Sequence, residues 1–112
     1  MNTVLSRYSL ICLLLLCSGR AAADEIPEFN IVIKNHAFQP AELIIPAGVK
    51  VRLVVDNQDA TPEEFESHEL NREKVIPANS KVKIYVGPLE AGVYPYFGDF
   101  NPKSATGKIL VR

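Results

Sequence analysis

The side chains best suited to chemistry are concentrated in one acidic stretch, residues 59–69. It holds five carboxylates and one of the two histidines of the chain within eleven residues, in the order Asp-Ala-Thr-Pro-Glu-Glu-Phe-Glu-Ser-His-Glu. Carboxylates this close repel one another, so a folded protein needs water, nearby lysines and arginines, or a cation to offset the repulsion. The choice among these three partners determines what the stretch does.

Two local structures are open to this stretch. The motif Thr-Pro-Glu-Glu at residues 61–64 has the pattern of a helix capping box and predicts one short helical turn. A helix would place Glu63 beside Glu66, and it would also place Glu64 beside His68. An extended chain would instead place Glu64, Glu66 and His68 on one face. His68 is therefore paired with Glu64 in either case.

The first 23 residues have the features of an export signal. Arg7 supplies a positive charge, an apolar run covers residues 10–17, and residues 21–23 are three alanines of the kind that a signal peptidase cuts. The apolar run is shorter than the roughly 20 residues of a membrane helix. We predict cleavage after Ala23 and a periplasmic location; the alternative is lipid attachment at Cys17, which the bulky preceding leucine disfavours.

Removal of this leader would leave residues 24–112 as one small domain. These 89 residues carry ten Lys/Arg and thirteen Asp/Glu, a net charge of −3 with histidine neutral. No basic stripe indicates a nucleic-acid partner. Both cysteines, Cys12 and Cys17, belong to the leader, so the remainder has no disulfide, thiolate ligand or cysteine nucleophile. It also has no Ser/His/Asp order or zinc-protease motif, which argues against a hydrolase.

The remainder of the chain alternates apolar and polar residues in the manner of β-strands, and turn residues separate the runs. The runs cover residues 29–34, 42–45, 49–56, 81–86, 93–97 and 106–111. This pattern predicts an all-β, Greek-key two-sheet β-sandwich, to which the helical turn above would be the one exception. Residues 89–94 predict a tyrosine corner. Pro95 has no N–H to donate, so it predicts a bulge or an edge in its strand.

The order of these features resembles the cupredoxins, which are copper-binding Greek-key sandwiches. It is most similar to the EfeO-type cupredoxin-like domain of bacterial periplasmic iron-uptake systems. The matching segments are residues 38–43, 46–48, 57–67, 72–75, 86–89 and 97–100. The resemblance implies a copper and/or iron ion, and as partners an inner-membrane iron permease with other periplasmic iron-uptake components. Full-length EfeO proteins also carry a helical domain, so we expect this chain to be a stand-alone version.

The sequence departs from the blue-copper members of that family. The resemblance places Cys, His and Met ligands in the loop that joins the last two strands, but residues 97–105 contain no sulfur ligand and no imidazole. The upstream histidine ligand of those proteins would fall near Glu63 or Glu64. Blue-copper electron transfer depends on a thiolate, so we do not expect it here.

The cupredoxin arrangement brings three loops, residues 34–39, 57–69 and 97–105, to one end of the sandwich. We predict an oxygen-rich metal site there, drawn from His36, Glu63, Glu64, Glu66, His68 and Asp99. Carboxylates with imidazole suit Cu(II), Zn(II), Mn(II) or iron rather than Cu(I). They also favour Fe(III) over Fe(II), because electrostatic attraction grows with the charge of the ion.

Among these residues, Glu66 and Asp99 are the favoured ligands, with Glu64 beside them. Each of the two has an aromatic neighbour in the sequence, which is unusual for a solvated surface charge. We expect Glu63, Glu69 and Glu73 to be solvated, where ion pairs contribute little.

Two functions follow from this sequence. The first is a periplasmic metal-binding protein that assists iron uptake by storage, delivery or accessory ferroxidase activity. The alternative is a metal-free β-sandwich interaction module, whose acidic end would recognise a basic secreted or membrane partner.

Overall fold

The computed structural model of the protein describes residues 25–112, so the predicted leader, its cleavage site and Cys17 lie outside the described residues. Nine strands follow one another within that range: β1 (Glu28–Lys34), β2 (Ala37–Gln39), β3 (Glu42–Ile45), β4 (Val51–Asn57), β5 (Glu63–Ser67), β6 (Arg72–Ile76), β7 (Ser80–Val86), β8 (Gly92–Gly98) and β9 (Thr106–Val111). Across this part of the chain, no helix has the length and apolar character needed to cross a bilayer.

The strands form two sheets, and the prediction of an all-β Greek-key sandwich is confirmed. One sheet has the order β2-β1-β4-β7, and the other has the order β3-β9-β8-β5-β6. The chain passes between the sheets after β2, β3, β4, β6 and β7, and β1 runs parallel to β4 while β3 runs parallel to β9. These crossings are the long-range connections that distinguish a Greek key from a meander.

The core lies between the two sheets because alternate residues of each strand point inward. In β4, for example, Val51, Leu53 and Val55 are fully buried, while the residues between them are half-buried on the outer face. Three aromatic rings fill the end of the core beneath the acidic stretch. Phe65 stacks on Tyr96 with ring centroids 4.7 Å apart, and the edge of Phe38 meets Tyr96 at 4.9 Å.

The predicted helical turn at residues 61–64 is wrong, because the chain is extended there and enters β5 at Glu63. β5 bonds to β6 on one side and to β8 on the other, and this pairing buries Phe65 in the core. Ladder hydrogen bonds on both sides and a buried aromatic ring outweigh the weak local preference of a capping box. The same tertiary pairing explains why the short strands β2, β5 and β6 had no signal of their own in the sequence.

Two smaller predictions concern β8. The tyrosine corner is confirmed, since the hydroxyl of Tyr94 donates a 2.8 Å hydrogen bond to the backbone oxygen of Glu90. The strand of Pro95 is not an edge strand, since β8 lies between β9 and β5 and Pro95 pairs with Lys108; only the pairing with β5 is missing at Pro95, because it is limited to Phe97 and Gly98 of β8. Beside Pro95 a side-chain bond takes the place of the backbone bonds to β5: the hydroxyl of Ser67, the last residue of β5, donates to the Pro95 oxygen at 2.8 Å.

Candidate metal centre

β5 places two glutamates of the acidic stretch on the outer face of the five-stranded sheet. Because Phe65 points into the core, its neighbours Glu64 and Glu66 point the other way. Glu66 lies opposite Glu73 of β6 on one side and opposite Phe97 of β8 on the other. The extended conformation is thus the one that brings carboxylates of neighbouring strands together.

The third carboxylate comes from the turn that follows β8. Phe65 pairs with Gly98, and continuing this antiparallel register by one residue places Asp99 beside Glu64. One carboxylate oxygen from each of Glu64, Glu66 and Asp99 lies within 4.8 Å of the others. We call these three residues the outer cluster. Oxygen ligands at this spacing can converge on a single hard cation.

Glu64 is the most unusual member of the outer cluster. It is only 7% exposed, and its Oε1 atom is buried without a hydrogen-bond partner. The pKa of Glu64 is raised from its ordinary value of 4.5 to about 7, chiefly by burial and in addition by the nearby carboxylates of Glu66 and Glu73. A buried acceptor with no donor is costly to the folded state, so this oxygen would be satisfied either by a proton or by a cation.

The outer cluster is open to solvent on one side. Asp99 is exposed and Glu66 is half-buried. A polar groove of about 220 Å³ adjoins the cluster, and Glu66, His68 and Glu73 are among the residues that line it. An ion can therefore reach Glu64 past its two more exposed neighbours.

Glu63 lies on the opposite face of β5, and the expectation that it is solvated is wrong. It is 1% exposed, and all of its hydrogen bonds are accepted from donors of the protein. Its Oε1 accepts from the backbone N–H of Glu64 at 2.9 Å and from that of Phe100 at 3.0 Å. Its Oε2 accepts from the Asn101 side-chain amide at 2.6 Å. The structure therefore does not bring Glu63 to the outer cluster.

Gly98 makes room for the carboxyl group of Glu63. A Cβ atom at residue 98 would stand 2.7 Å from Cδ of Glu63 and 2.7 Å from Cβ of Ala105, which is too close for real atoms. The loop after Gly98 closes on itself, because the Gly98 N–H donates to the Ala105 oxygen at 2.8 Å. Only glycine permits this approach of strand β8 to the buried carboxylate.

The structure places the two histidines outside the outer cluster. His36 and Asn35 both have positive φ, as in a two-residue hairpin turn, and Asp59 caps that turn by accepting both of their backbone N–H groups at 2.8 and 2.9 Å. These bonds hold the pKa of Asp59 below its ordinary value. His68 is exposed and its ring rests against Phe97 at a centroid distance of 5.8 Å. Asp59 thus serves the turn rather than a metal.

Sequence reasoning missed Asn57 as an organiser of this end of the sandwich. It is fully buried, and its side-chain amide lies within hydrogen-bond distance of the backbone oxygens of Thr61, Ile76 and Pro77, at 2.9 to 3.2 Å. Its Oδ1 accepts from the N–H of Asp59. These bonds satisfy the backbone that leads into β5 and β7. An asparagine at the polar end of an otherwise alternating apolar run, as in residues 51–57, is the signal that could have found it.

The chain belongs to the cupredoxin-like domain family, since the model of that family, described as "Cupredoxin-like domain", matches residues 7–111. A protein of Rickettsia prowazekii (strain Madrid E), named "Uncharacterized protein RP394", is 44% identical to it over 89 residues. That match covers 80% of this chain and 71% of the Rickettsia protein.

Solved structures share the fold at low sequence identity. Auracyanin A, a "blue" copper protein of Chloroflexus aurantiacus, superposes with a TM-score of 0.68 at 18% identity, over 79% of this chain and all of that one. The metal-binding domain of the Cu(I)-exporting ATPase CopA of Streptococcus pneumoniae D39 superposes with a TM-score of 0.70 at 16% identity, over 80% of this chain and 88% of that one. Identities this low establish the cupredoxin-like fold alone.

The residues of this chain do not fit a blue-copper centre. Residues 25–112 contain no cysteine, and the loop between β8 and β9 has no histidine or methionine. The interior carboxylate at this end, that of Glu63, already accepts hydrogen bonds from Phe100 N and Asn101 Nδ2. These N–H donors cannot themselves ligate a metal. The outer cluster, with three carboxylates and a buried unpartnered oxygen, instead fits a hard or borderline cation held by oxygen.

Proposed function

We propose that this protein is a periplasmic metal-binding protein that binds iron and/or copper at the outer cluster and assists iron uptake. The observation that carries the proposal is the Oε1 atom of Glu64, which is buried without a donor beside two other carboxylates. Surface acidic residues are common without a metal, but they are hydrated. A buried carboxylate that lacks both water access and a protein donor needs either a proton or a cation.

The charge of the outer cluster favours an ion of high charge. Glu64, Glu66 and Asp99 would contribute up to three negative charges, and Glu73 lies opposite Glu66 on the neighbouring strand. Attraction to these charges grows with the charge of the ion, so Fe(III) is stabilised relative to Fe(II). An ion held there as cargo would be easier to oxidise, which is consistent with an accessory ferroxidase role or with ferric storage.

The geometry also supports delivery of the ion. Asp99 is exposed and comes from a turn, and Glu66 faces the adjoining groove. Exchange of the ion with a second protein requires such an open side. The resemblance to EfeO-type domains supports an inner-membrane iron permease as the recipient, with other periplasmic iron-uptake components as further partners.

The metal content of the protein purified from the periplasm without chelator tests the binding proposal. We expect about one equivalent of iron or copper in the wild type and a clear loss of it in Glu64→Gln, which keeps the shape of the side chain but removes its charge. Glu90→Gln removes a charge from an exposed residue that precedes β8, at the other end of that strand from Asp99, and serves as the control. Metal-free wild-type protein would contradict the proposal and favour the interaction module.

Iron accumulation in cells tests the role in uptake separately. Cells that lack the protein should accumulate less iron from medium of low iron content, and the wild-type gene should restore accumulation. The Glu64→Gln gene should not restore it. Full restoration by Glu64→Gln would contradict a role of the outer cluster in uptake, whatever metal the purified protein contains.

A further inference from the structure

We infer that Glu63 is a positioning residue that holds Asp99 in the outer cluster, an inference that rests on the proposed function of that cluster. Glu63 does not face the cluster, since it points to the inner side of β5 while Glu64 and Glu66 point outward. Its role follows from the atoms that it binds, which belong to the turn that carries Asp99.

The turn after β8 has few other attachments to β5. Ladder pairing between β5 and β8 covers Phe65 with Gly98 and Glu66 with Phe97, and it ends before Asp99. Beyond that point, the bonds from Phe100 N and Asn101 Nδ2 to the carboxylate of Glu63, at 3.0 and 2.6 Å, link the turn to β5. The two residues that follow Asp99 are thus held from the inside, while Asp99 itself is exposed.

These bonds are well suited to fix a position. Hydrogen bonds to a charged acceptor are stronger than bonds between neutral groups, and burial protects them from competition with water. The short distance to Asn101 and the tight fit of the carboxyl group over Gly98 leave the side chain of Glu63 little freedom. Because a metal site needs its ligands at set distances, groups that hold a ligand in place affect affinity without contacting the ion.

A carboxylate is needed at this position because of the donors around it. Three N–H groups point at Glu63, and one of them is the backbone N–H of Glu64, a member of the outer cluster. Glutamine keeps the shape but loses the charge and offers one oxygen in place of two, so the bonds from the turn weaken and the Asn101 amide must turn over to accept from the new NH2 group. We expect Glu63→Gln to displace the turn and Asp99 with it.

A double-mutant cycle tests this inference with Fe(II) as the probe, titrated calorimetrically into the purified full-length protein under anaerobic conditions. Glu63→Gln should weaken binding by about 10-fold, the lower end of the effect of removing a group that orients a ligand. In an Asp99→Asn background the same substitution should change affinity by less than about 2-fold, because the carboxylate that it positions is already absent.

A second pair of variants covers the case in which Glu63→Gln fails to fold. Asn101→Ala removes one of the bonds to Glu63 from a half-buried loop residue and should weaken Fe(II) binding by about 3-fold. Ser104→Ala is the matched control in the same loop, because its hydroxyl donates to the oxygen of His36 and not to Glu63. We expect wild-type affinity for that control.

The possible outcomes separate this inference from the proposed function. Suppose that Asp99→Asn weakens binding while folded Glu63→Gln or Asn101→Ala binds Fe(II) with wild-type affinity. That result would overturn the positioning role of Glu63 and leave the metal site standing. Equal losses from Glu63→Gln with and without the Asp99 carboxylate would also overturn it, because Glu63 would then act by another route. If the wild type binds no Fe(II), or if Asp99→Asn has no effect, the site and the inference fall together.

Discussion

Glu63 and Glu64 are adjacent in the chain, and both are buried, yet they occupy opposite environments. Glu63 points inward and accepts three hydrogen bonds from the protein. Glu64 points outward, is 7% exposed, and has one oxygen with no donor at all. One charge is thus compensated by the fold, and the other is left to be compensated by something that binds.

This contrast shows why burial alone does not identify a functional carboxylate. The loop of residues 98–101 supplies donors to the inner face of β5, and it supplies a further carboxylate, Asp99, to the outer face. The same loop therefore stabilises the charge of Glu63 and adds a further negative charge beside Glu64. A cation site can form where several acceptor oxygens lie close together and no protein donor is within hydrogen-bond distance of them.

Removal of the inner carboxylate should have the largest effect. Glu63→Ala leaves buried N–H donors, including that of Phe100, without an acceptor, and each costs about 1–3 kcal/mol. We expect the free energy of unfolding to fall by about 3 kcal/mol in a urea titration of the apo protein. A loss below about 1 kcal/mol would show that the inner carboxylate is not compensated as described.

Neutralisation of the outer cluster should have a smaller effect, and its sign should reverse when metal is added. Glu66→Gln and Asp99→Asn should each weaken binding of the cation by about 10-fold, which corresponds to about 1.4 kcal/mol. The same variants should stabilise the apo protein, because crowded carboxylates then repel one another less. Thermal melts with and without metal measure both effects, and lower apo stability in either variant would indicate an internal salt bridge instead.

The pH dependence of apo stability should reveal Glu64. Its pKa rises from 4.5 in the unfolded chain to about 7 in the folded protein, so the folded state binds more protons between these values. Stability from this group is full below about pH 4.5 and is lost as the pH rises toward 7. Asp59, with its lowered pKa, acts only at lower pH. Urea titrations from pH 4.5 to 8 should show this fall, and Glu64→Gln should flatten it.

The smallest effect among these predictions is the change in visible absorption when copper is added. Residues 25–112 contain no cysteine, so Cu(II) added to the protein has no thiolate with which to form an intense blue charge-transfer band. We expect only a weak visible absorption on titration with Cu(II). An intense blue colour would contradict the oxygen-ligand assignment of the outer cluster.

The sequence predicted those parts of the fold that its alternation makes visible. The runs of residues 29–34 and 81–86 became β1 and β7, and the tyrosine corner at Tyr94 was visible from its local pattern. β5 was not visible, because its glutamates resemble a helix start and only pairing with β6 and β8 makes them extended. The strand pairing determines which face each glutamate occupies, and a local sequence pattern does not contain that pairing.

The candidate site was predictable in its residue types but not in its division into two faces. Glu64, Glu66 and Asp99 were expected together, and the structure brings them within 4.8 Å. Glu63 was expected to be solvated, and it is buried because Gly98 and Asn101 accommodate its carboxyl group from a loop distant in the chain. The sequence alone could not show that His36 lies outside the outer cluster, because its position depends on a hydrogen bond to Asp59, which belongs to another loop.

Calorimetric titration of the apo protein with Fe(II) and with Cu(II), in the wild type and in Glu64→Gln, tests the central claim most directly. We predict one equivalent of bound cation in the wild type, binding weakened by about 10-fold or more in Glu64→Gln, and wild-type binding in the exposed control Glu90→Gln. The claim is that the unpartnered oxygen of Glu64 is a ligand of the bound cation. It would be contradicted if the wild type bound neither ion, or if Glu64→Gln bound the ion as tightly as the wild type does.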